Sequence, residues 1–367
     1  MIWILLLVFL ASAGVTGTVY LMKRARRFWP AKQLSEKNKV LGWIASAWPL
    51  YICLPFLAVN VYAFVIAYVN LILIWAACDL VGYIIRRLRK KERREHYVIG
   101  WIAVGLTACY LTWGWISAHT VLRTEYRFET AKELGRESLR VAVIADLHVG
   151  LTLDGDEFAE QCRRIAEEKP DLVVAAGDFA DDDSTRSDMI KACEALGNIP
   201  AELGVYWVYG NHDRGYFSYR DFTAEEMAET LARCGVKVLS DETADADGHI
   251  TVVGREDKGN GGRLSAGELM KGIDPSRYVI MLDHQPNDYT AEAEAGPDLV
   301  ISGHTHGGHI FPAGLVGQLT GANDRLYGTE RRGNTDFLVT SGISGWGIPF
   351  KTFAVSEYVV VDIYPTK

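Results

Sequence analysis

Between Val40 and Ile85 the chain runs almost without charge, interrupted only by Asp79. One helix of that length would extend ~69 Å at ~1.5 Å per residue, more than twice the roughly 30 Å of a bilayer's hydrocarbon core. A soluble fold would not tolerate this density of uncharged residues around Trp and Tyr. Both flanks are basic: Lys23–Lys39 before the stretch and RRLRKKERR, residues 86–94, after it. Basic flanks stay in the cytoplasm, so the stretch must go out and return, as spans over about 40–58 and 61–85 with a turn near Val59–Asn60.

Residues 2–22 are also free of charge and long enough to cross. Their basic cluster, KRARR at 23–27, follows the apolar run, whereas a cleaved signal peptide carries its positive charges first. The N-terminus is therefore expected outside. A fourth span over about 97–117 leaves the cytoplasm again. The reading is a transmembrane region of about four helices within residues 1–122, a multi-pass protein of the cell membrane, with everything after it on the extracytoplasmic side. Asp79, near the inner end of its span and without acidic or histidine companions, reads as interfacial.

Charge separates the two parts. Residues 1–123 hold 15 Lys+Arg against 4 Asp+Glu, and the remaining 23 Lys+Arg face 42 Asp+Glu, which gives +11 and −19. So acidic a domain repels soluble polyanions, and it shows no basic, aromatic-lined stripe, so no nucleic-acid partner is expected. The six cysteines are scattered without CxxC spacing and read as small buried hydrophobes.

From residue 138 a pattern recurs. A short run rich in β-branched residues is followed at once by Asp, His or Asn: RVAVIADLH (140–148), DLVVAAGD (171–178), VYWVYGNHD (205–213), YVIMLDH (278–284) and DLVISGHTH (298–306). Runs of four to six apolar residues suit buried strands. Helical segments fall between them at 156–169 and 223–234, and 244–257 reads as a hairpin arm. The expectation is an α/β fold with mixed strands, in two packed sheets, whose site lies beyond the carboxyl ends of the strands.

The residues gathered there offer carboxylate, imidazole and one amide ligand, with no thiolate. That set suits Mn²⁺, Fe or Zn²⁺ in a catalytic rather than a thiolate-rich structural site. Seven such ligands are too many for one tetrahedral ion and fit two divalent ions sharing a carboxylate, a device for phosphoester hydrolysis.

The ordered set DLH (146–148), GD (177–178), GNHD (210–213), DH (283–284) and GHTH (303–306) resembles the calcineurin-like metallophosphoesterase superfamily over essentially all of residues 138–365. GHTHGG with its aromatic-Pro pair and the later strand FLVTSGIS (337–344) look like its membrane-associated bacterial branch. The resemblance implies a four-layer sandwich of two mixed β-sheets flanked by helices, and a hydrolase of phosphomonoesters or phosphodiesters. By motif match, Asp146, His148 and His306 would bind one metal, Asn211, His284 and His304 the other, and Asp178 would bridge them. His212 would face the phosphate or protonate the leaving oxygen, with Asp213 orienting it. In the family's mechanism a metal-bridging hydroxide attacks phosphorus in line.

Of the remaining motif residues, His309 is a candidate substrate contact. Arg214, Arg255 and Arg325 are candidate phosphate clamps, and DDDS (181–184) reads as a solvated loop and helix cap. In GHTH, His304 and His306 are expected to splay toward different ions as alternate residues of an extended backbone. Trp346 and Phe350 are candidates for a substrate groove. The expected substrate is a phosphoester at or near the bilayer, such as a lipid-linked or cell-envelope one. The alternatives are a non-catalytic metal-binding membrane scaffold and an auxiliary domain of a transporter.

Overall fold

The structure, a computed structural model, describes residues 2–90, 97–217 and 220–366, and for residues 2–11 and 313 the backbone alone. The chain divides into two units, Met1–Trp113 and Gly114–Lys367.

The first unit is helical: α1 (Ile2–Ala25), α2 (Trp29–Lys37), α3 (Lys39–Ser46), α4 (Trp48–Tyr51), α5 (Val61–Leu88) and most of α6 (Val98–His119). Asn38 opens α3 by accepting the amides of Val40 and Leu41, and Asn60 opens α5 by accepting that of Ala63. Tyr68 donates to Thr18 at 3.1 Å while Tyr20, further along α1, donates to Asp79, further along α5, at 2.7 Å. The two helices therefore run parallel.

Among the described residues only α5 and α6 are long and apolar enough to cross a membrane, which corrects the expected four. The stretch expected to span at 40–58 is not one helix. Pro49 lies in the first turn of α4 and Pro55 in that of a 3₁₀ turn, Leu54–Ala58. A proline has no N–H for the ladder and clashes with the preceding turn, so the stretch stays apolar while its helix breaks. The expected span at 2–22 falls on α1, where many of the side chains lie outside the described residues.

In the second unit, β1 (Val121–Thr130), β2 (Leu139–Ile144), α7 (Gly155–Glu167), β3 (Leu172–Ala176), α8 (Arg186–Gly197), β4 (Val205–Val208), α9 (Ala224–Arg233) and β5 (Val236–Leu239) come first. Then follow β6 (Glu242–Asp245), β7 (Ile250–Gly254), α10 (Ala266–Met270), β8 (Tyr278–Leu282), α11 (Tyr289–Ala295), β9 (Leu299–Ser302), α12 (Ala313–Leu319), β10 (Gly328–Arg332), β11 (Thr335–Val339) and β12 (Ser356–Pro365). They form two six-stranded mixed sheets, β1-β12-β2-β3-β4-β5 and β10-β11-β9-β8-β7-β6.

Alternation along the strands builds three cores. Val141 and Val143 of β2, Val174 of β3, Val252 of β7, Ile280 of β8 and Ile301 of β9 meet in one buried cluster between the sheets. Their neighbours Ala142, Ile144 and Trp207 face Phe158, Met189 and Met227 of α7, α8 and α9. Val279, Met281 and Phe337 of the second sheet face Leu269 and Tyr289. A strand buried on both faces needs apolar residues at every position, which is why these runs read as continuous rather than alternating. The result is an α/β/β/α sandwich. β1 pairs in parallel with β12 along its whole length and belongs to the first sheet, ahead of residue 138. It is a charged, half-exposed edge strand, so its pattern does not announce it.

Candidate metal centre

β2, β3, β4 and β5 pair in parallel, as do β7, β8, β9 and β11, so their carboxyl ends share one edge within each sheet. The loops leaving those ends carry the polar set: Asp146 and His148 after β2, Asp178 after β3, Asn211 to Asp213 after β4, His284 after β8, and His304 and His306 after β9. Asp146, His148, Asp178, His304, His306 and His309 all adopt left-handed backbone, with φ between 41° and 69°. Such a conformation costs a non-glycine residue ~1–2 kcal/mol. It persists where the surroundings fix it, typically at functional sites. A Cβ on Gly210 would sit 2.2 Å from Asp178 Oδ1, so only glycine lets these two loops close on each other.

Two groups of donors match the expected metal ligands, and a third, His148 with Asp181 and His212, shares His148 with the first. Ligand atoms of Asp146, His148 and His306 lie within 4.8 Å of one another, and so do those of Asp178, His284 and His304. Asn211 Oδ1, 2.8 Å from His304 Nδ1, joins the second. Asp178 Oδ2 stands 3.0 Å from His284 Nε2 and 3.6 Å from His148 Nε2, between the two groups. Asp146 Oδ2, both ring nitrogens of His148 and Nε2 of His284 are buried without a hydrogen bond among the described residues. Each such atom costs ~1–3 kcal/mol unless something satisfies it. Converging oxygen and nitrogen donors are satisfied together by a cation, so the residues fit metal binding. His284 Nδ1 lies 2.7 Å from the Ala176 carbonyl, and His306 Nδ1 lies 3.2 Å from that of Ser344. A carbonyl holds the proton on Nδ1 and leaves Nε2 as the ligand atom.

The family model of the calcineurin-like phosphoesterases matches residues 139–308. An uncharacterized metallophosphoesterase of Aquifex aeolicus is 31% identical over 250 residues, covering 66% of this chain and 92% of that protein. The chain belongs to the calcineurin-like phosphoesterase family. A transmembrane protein with metallophosphoesterase domain from Danio rerio is 27% identical over 392 residues, 96% of this chain and 87% of that one. An uncharacterized metallophosphoesterase of Helicobacter pylori is 26% identical over 294 residues, 77% and 76% of the two chains.

As a calcineurin-like phosphoesterase the protein is a metal-dependent hydrolase of phosphoesters, from a family built around a dinuclear metal centre. Its site differs from the sequence expectation in three respects. Asp213 does not orient His212. Its carboxylate is fully buried and accepts the backbone amides of Gly210, Asp178, Phe179 and Ala180 at 2.7–3.1 Å, tying the β3 and β4 loops together. The partner of His212 is Asp181, with Oδ1 3.1 Å from His212 Nδ1 and Oδ2 3.3 Å from His148 Nδ1. Asp181 belongs to the run read as a solvated loop. The signal that could have found it is its place three residues beyond Asp178, in the same strand-end turn.

The splay of His304 and His306 also has a different origin. Their backbone is left-handed and His306 opens a 3₁₀ turn, His306–Gly308, so the loop turns rather than extends. Finally, the three candidate clamps are engaged elsewhere. Arg255 is buried against Asp283, Asp288 and Glu292, Arg214 pairs with Glu256, and Arg325 pairs with Glu330. The Arg255 cluster lies directly behind His284, whose chain neighbour is Asp283.

Electrostatics follow from burial and proximity. Burial alone would raise the Asp178 carboxyl, but the charges of His284 and His148 hold it below the usual range. Burial likewise opposes, and contacts with His148 and His212 outweigh, in setting Asp181 low. Burial and the nearby Asp178 push Asp213 up to about 6 against the pull of its amide donors. Burial and the His284 charge bring His304 down to about 4, and burial with His148 holds His306 well below its ordinary value. Both rings are thus neutral at physiological pH, the form that ligates metal.

At the rim, the rings of Trp346 and Tyr216 lie 5.2 and 5.0 Å from that of His212. His309 sits 5.3 Å from His306 and 6.4 Å from Trp346, with a buried Nε2 that makes no hydrogen bond among the described residues. Phe350 is buried against Trp115 and lies in the core.

Proposed function

We propose that this protein is a membrane-anchored, two-metal phosphoesterase whose catalytic unit lies on the extracytoplasmic side. The observation that carries the reading is the pair of donor groups with one Asp178 oxygen between them. In this reading Asp146, His148 and His306 would hold one ion, Asn211, His284 and His304 the other, and Asp178, between the two groups, would serve both. The ions, Mn²⁺, Fe or Zn²⁺ by donor chemistry, would supply an activated water and neutralise phosphate oxygens.

The chain's own residues do the rest. Asp181 holds Nδ1 of His212, which leaves Nε2 to meet the leaving oxygen and give it a proton. Asp181 also draws His212 upward in pKa, against burial, and so keeps that proton available. His309, whose ring stands 5.3 Å from that of His306, is the proposed substrate contact. Asp178 and His212 are both present, which favours an enzyme over a non-catalytic scaffold, and spans poor in polar residues favour an anchor over a transporter.

The substrate, a phosphomonoester or phosphodiester, is proposed to carry an apolar group. Exposed aromatic side chains stand around the site: Tyr216 and Trp346 beside His212, and Phe353, whose backbone amide donates to the His309 carbonyl and whose ring stacks on that of Phe311. Exposed apolar patches of this kind mark ligand or lipid contact. Sidedness rests on α6 alone. The basic run 86–94 precedes it and the catalytic unit follows it, so cytoplasmic basic charge puts the catalytic unit outside. A reporter fused at residue 367 that is active only in the cytoplasm would overturn that placement.

The activity test uses the full-length protein in detergent, stripped of metal and resupplied with Mn²⁺, acting on bis-p-nitrophenyl phosphate and p-nitrophenyl phosphate beside Asp178→Asn. Metal-dependent turnover lost in the variant is expected, and the ratio of the two rates separates diesterase from monoesterase. Two bound ions without turnover direct the search to lipid phosphoesters. No bound metal refutes the site.

A further inference from the structure

Within the helical unit, a cleft of about 810 Å³ opens between the ends of α1 and α5. Five cations line it, Arg24, Arg27, Arg86, Arg87 and Lys90, against the single carboxylate of Asp79. Asp79, without acidic or histidine companions, is held instead by a cation and two phenols. Arg24 Nε lies 2.6 Å from it, and the hydroxyls of Tyr20 and Tyr97 donate to it at 2.7 and 2.8 Å. Tyr97 in turn accepts from Trp75 Nε1 at 2.7 Å, and the Arg27 guanidinium lies 3.7 Å over the Tyr97 ring. Asp79 thus fixes one wall of the cleft and neutralises one cation. Among the described residues lining it, Arg86, Arg87 and Lys90 have no carboxylate in the cleft.

A topogenic signal needs only basic residues in a loop. Here they converge from two helices on a shaped, partly apolar recess with Ala76 and Leu80 in its wall and phenols at its edge. Clustered cations beside apolar surface at the cytoplasmic end of membrane helices match a phosphate borne by an acyl-chain lipid. Tyrosine suits the same boundary, with an apolar ring and a polar tip. We propose that this cleft binds the phosphate headgroup of an anionic membrane lipid, at a site separate from the catalytic centre. Arg24, held by Asp79, is the fixed element, and Arg86, Arg87 and Lys90 close on the phosphate from α5 and its C-terminal turn.

The test uses the full-length protein in detergent, metal-stripped so that the catalytic centre contributes no phosphate affinity. Native mass spectrometry titrates short-chain phosphatidylglycerol, phosphatidylcholine and inorganic phosphate, on the wild type and on Arg86→Gln/Arg87→Gln/Lys90→Gln. Saturable binding of phosphatidylglycerol, weakened roughly tenfold or more in the variant, is expected, with phosphatidylcholine much weaker. The remetallated variant should hydrolyse bis-p-nitrophenyl phosphate as the wild type does, which shows it is folded. Equal binding by wild type and variant, or equal affinity for the two lipids, overturns the proposal. Inorganic phosphate binding as tightly as phosphatidylglycerol overturns the lipid assignment and makes the ligand a soluble phosphate.

Discussion

Asp181→Asn separates a relay from a solvated loop. The side chain keeps its shape, but its carboxylate now touches two rings, His212 at 3.1 Å and His148 at 3.3 Å. An amide offers one acceptor oxygen and no charge, so at least one contact is lost and both weaken. A hydrogen bond to a charged partner is worth ~1.5–3 kcal/mol, which at 1.36 kcal/mol per decade predicts a roughly ten- to 150-fold fall in kcat/KM. Loosening His148 should also weaken its ion about ten- to 100-fold, so turnover is measured in excess Mn²⁺ to isolate the first effect. The decisive comparison is a double-variant cycle. His212→Ala alone removes acid catalysis, about 10²- to 10⁴-fold. If Asp181 acts through His212, adding Asp181→Asn to His212→Ala costs little more, because neighbours in one network are not additive. Losses that multiply in the double variant would refute the relay.

Other outcomes follow from the same geometry. Asp213→Asn should lower stability by about 2–4 kcal/mol, because an amide opposes some of the four backbone donors, and turnover should fall with it because those donors fix the loop that carries Asp178; a thermal melt beside kcat decides it. Chelation should lower the thermal midpoint reversibly, since one ion at a hundredfold excess over its Kd adds about 2.7 kcal/mol, or roughly 5–10 °C for a domain of this size. Lys351 is fully buried, with Nζ 2.6 Å from the Ser341 carbonyl, and burial brings it down to about 7 although Asp146 and Glu357 pull the other way. Its folded value lies below the unfolded one near 10.5, so the unfolded chain binds the extra proton between those values and stability rises with pH across that window. Metal-free protein should therefore gain stability from pH 7 toward pH 9 relative to Lys351→Met, and parallel melting curves for the two would exclude this.

The sheets were legible because their strands are buried on both faces, leaving short apolar runs bounded by polar ends. β1 was not, because an edge strand bearing Arg123, Glu125 and Arg127 lacks that composition, and its pairing partner β12 lies at the far end of the chain. The helical unit was readable in apolarity but not in continuity. Hydropathy integrates over a window, and the breaks at Pro49 and Pro55 act at single residues through a missing donor.

The site shows the same division between composition and conformation. Which residues would gather could be read, since ligand chemistry is written in residue type and each follows a strand. Which one touches which depends on backbone turns that the sequence states only indirectly. His212 and Asp213 are adjacent, and adjacency suggested a pair. In the tight turn after β4, however, Asp213 faces inward to the amides of Gly210 and the β3 loop, while the ring of His212 faces Asp181 and the rim. Left-handed backbone at Asp146, Asp178, His304 and His306 needs something to hold it, and a buried carboxylate gripping four amides is suited to that work. Asp213 therefore belongs to the catalytic geometry without touching the substrate: it stabilises the strained loops that bring Asp178 between the two donor groups.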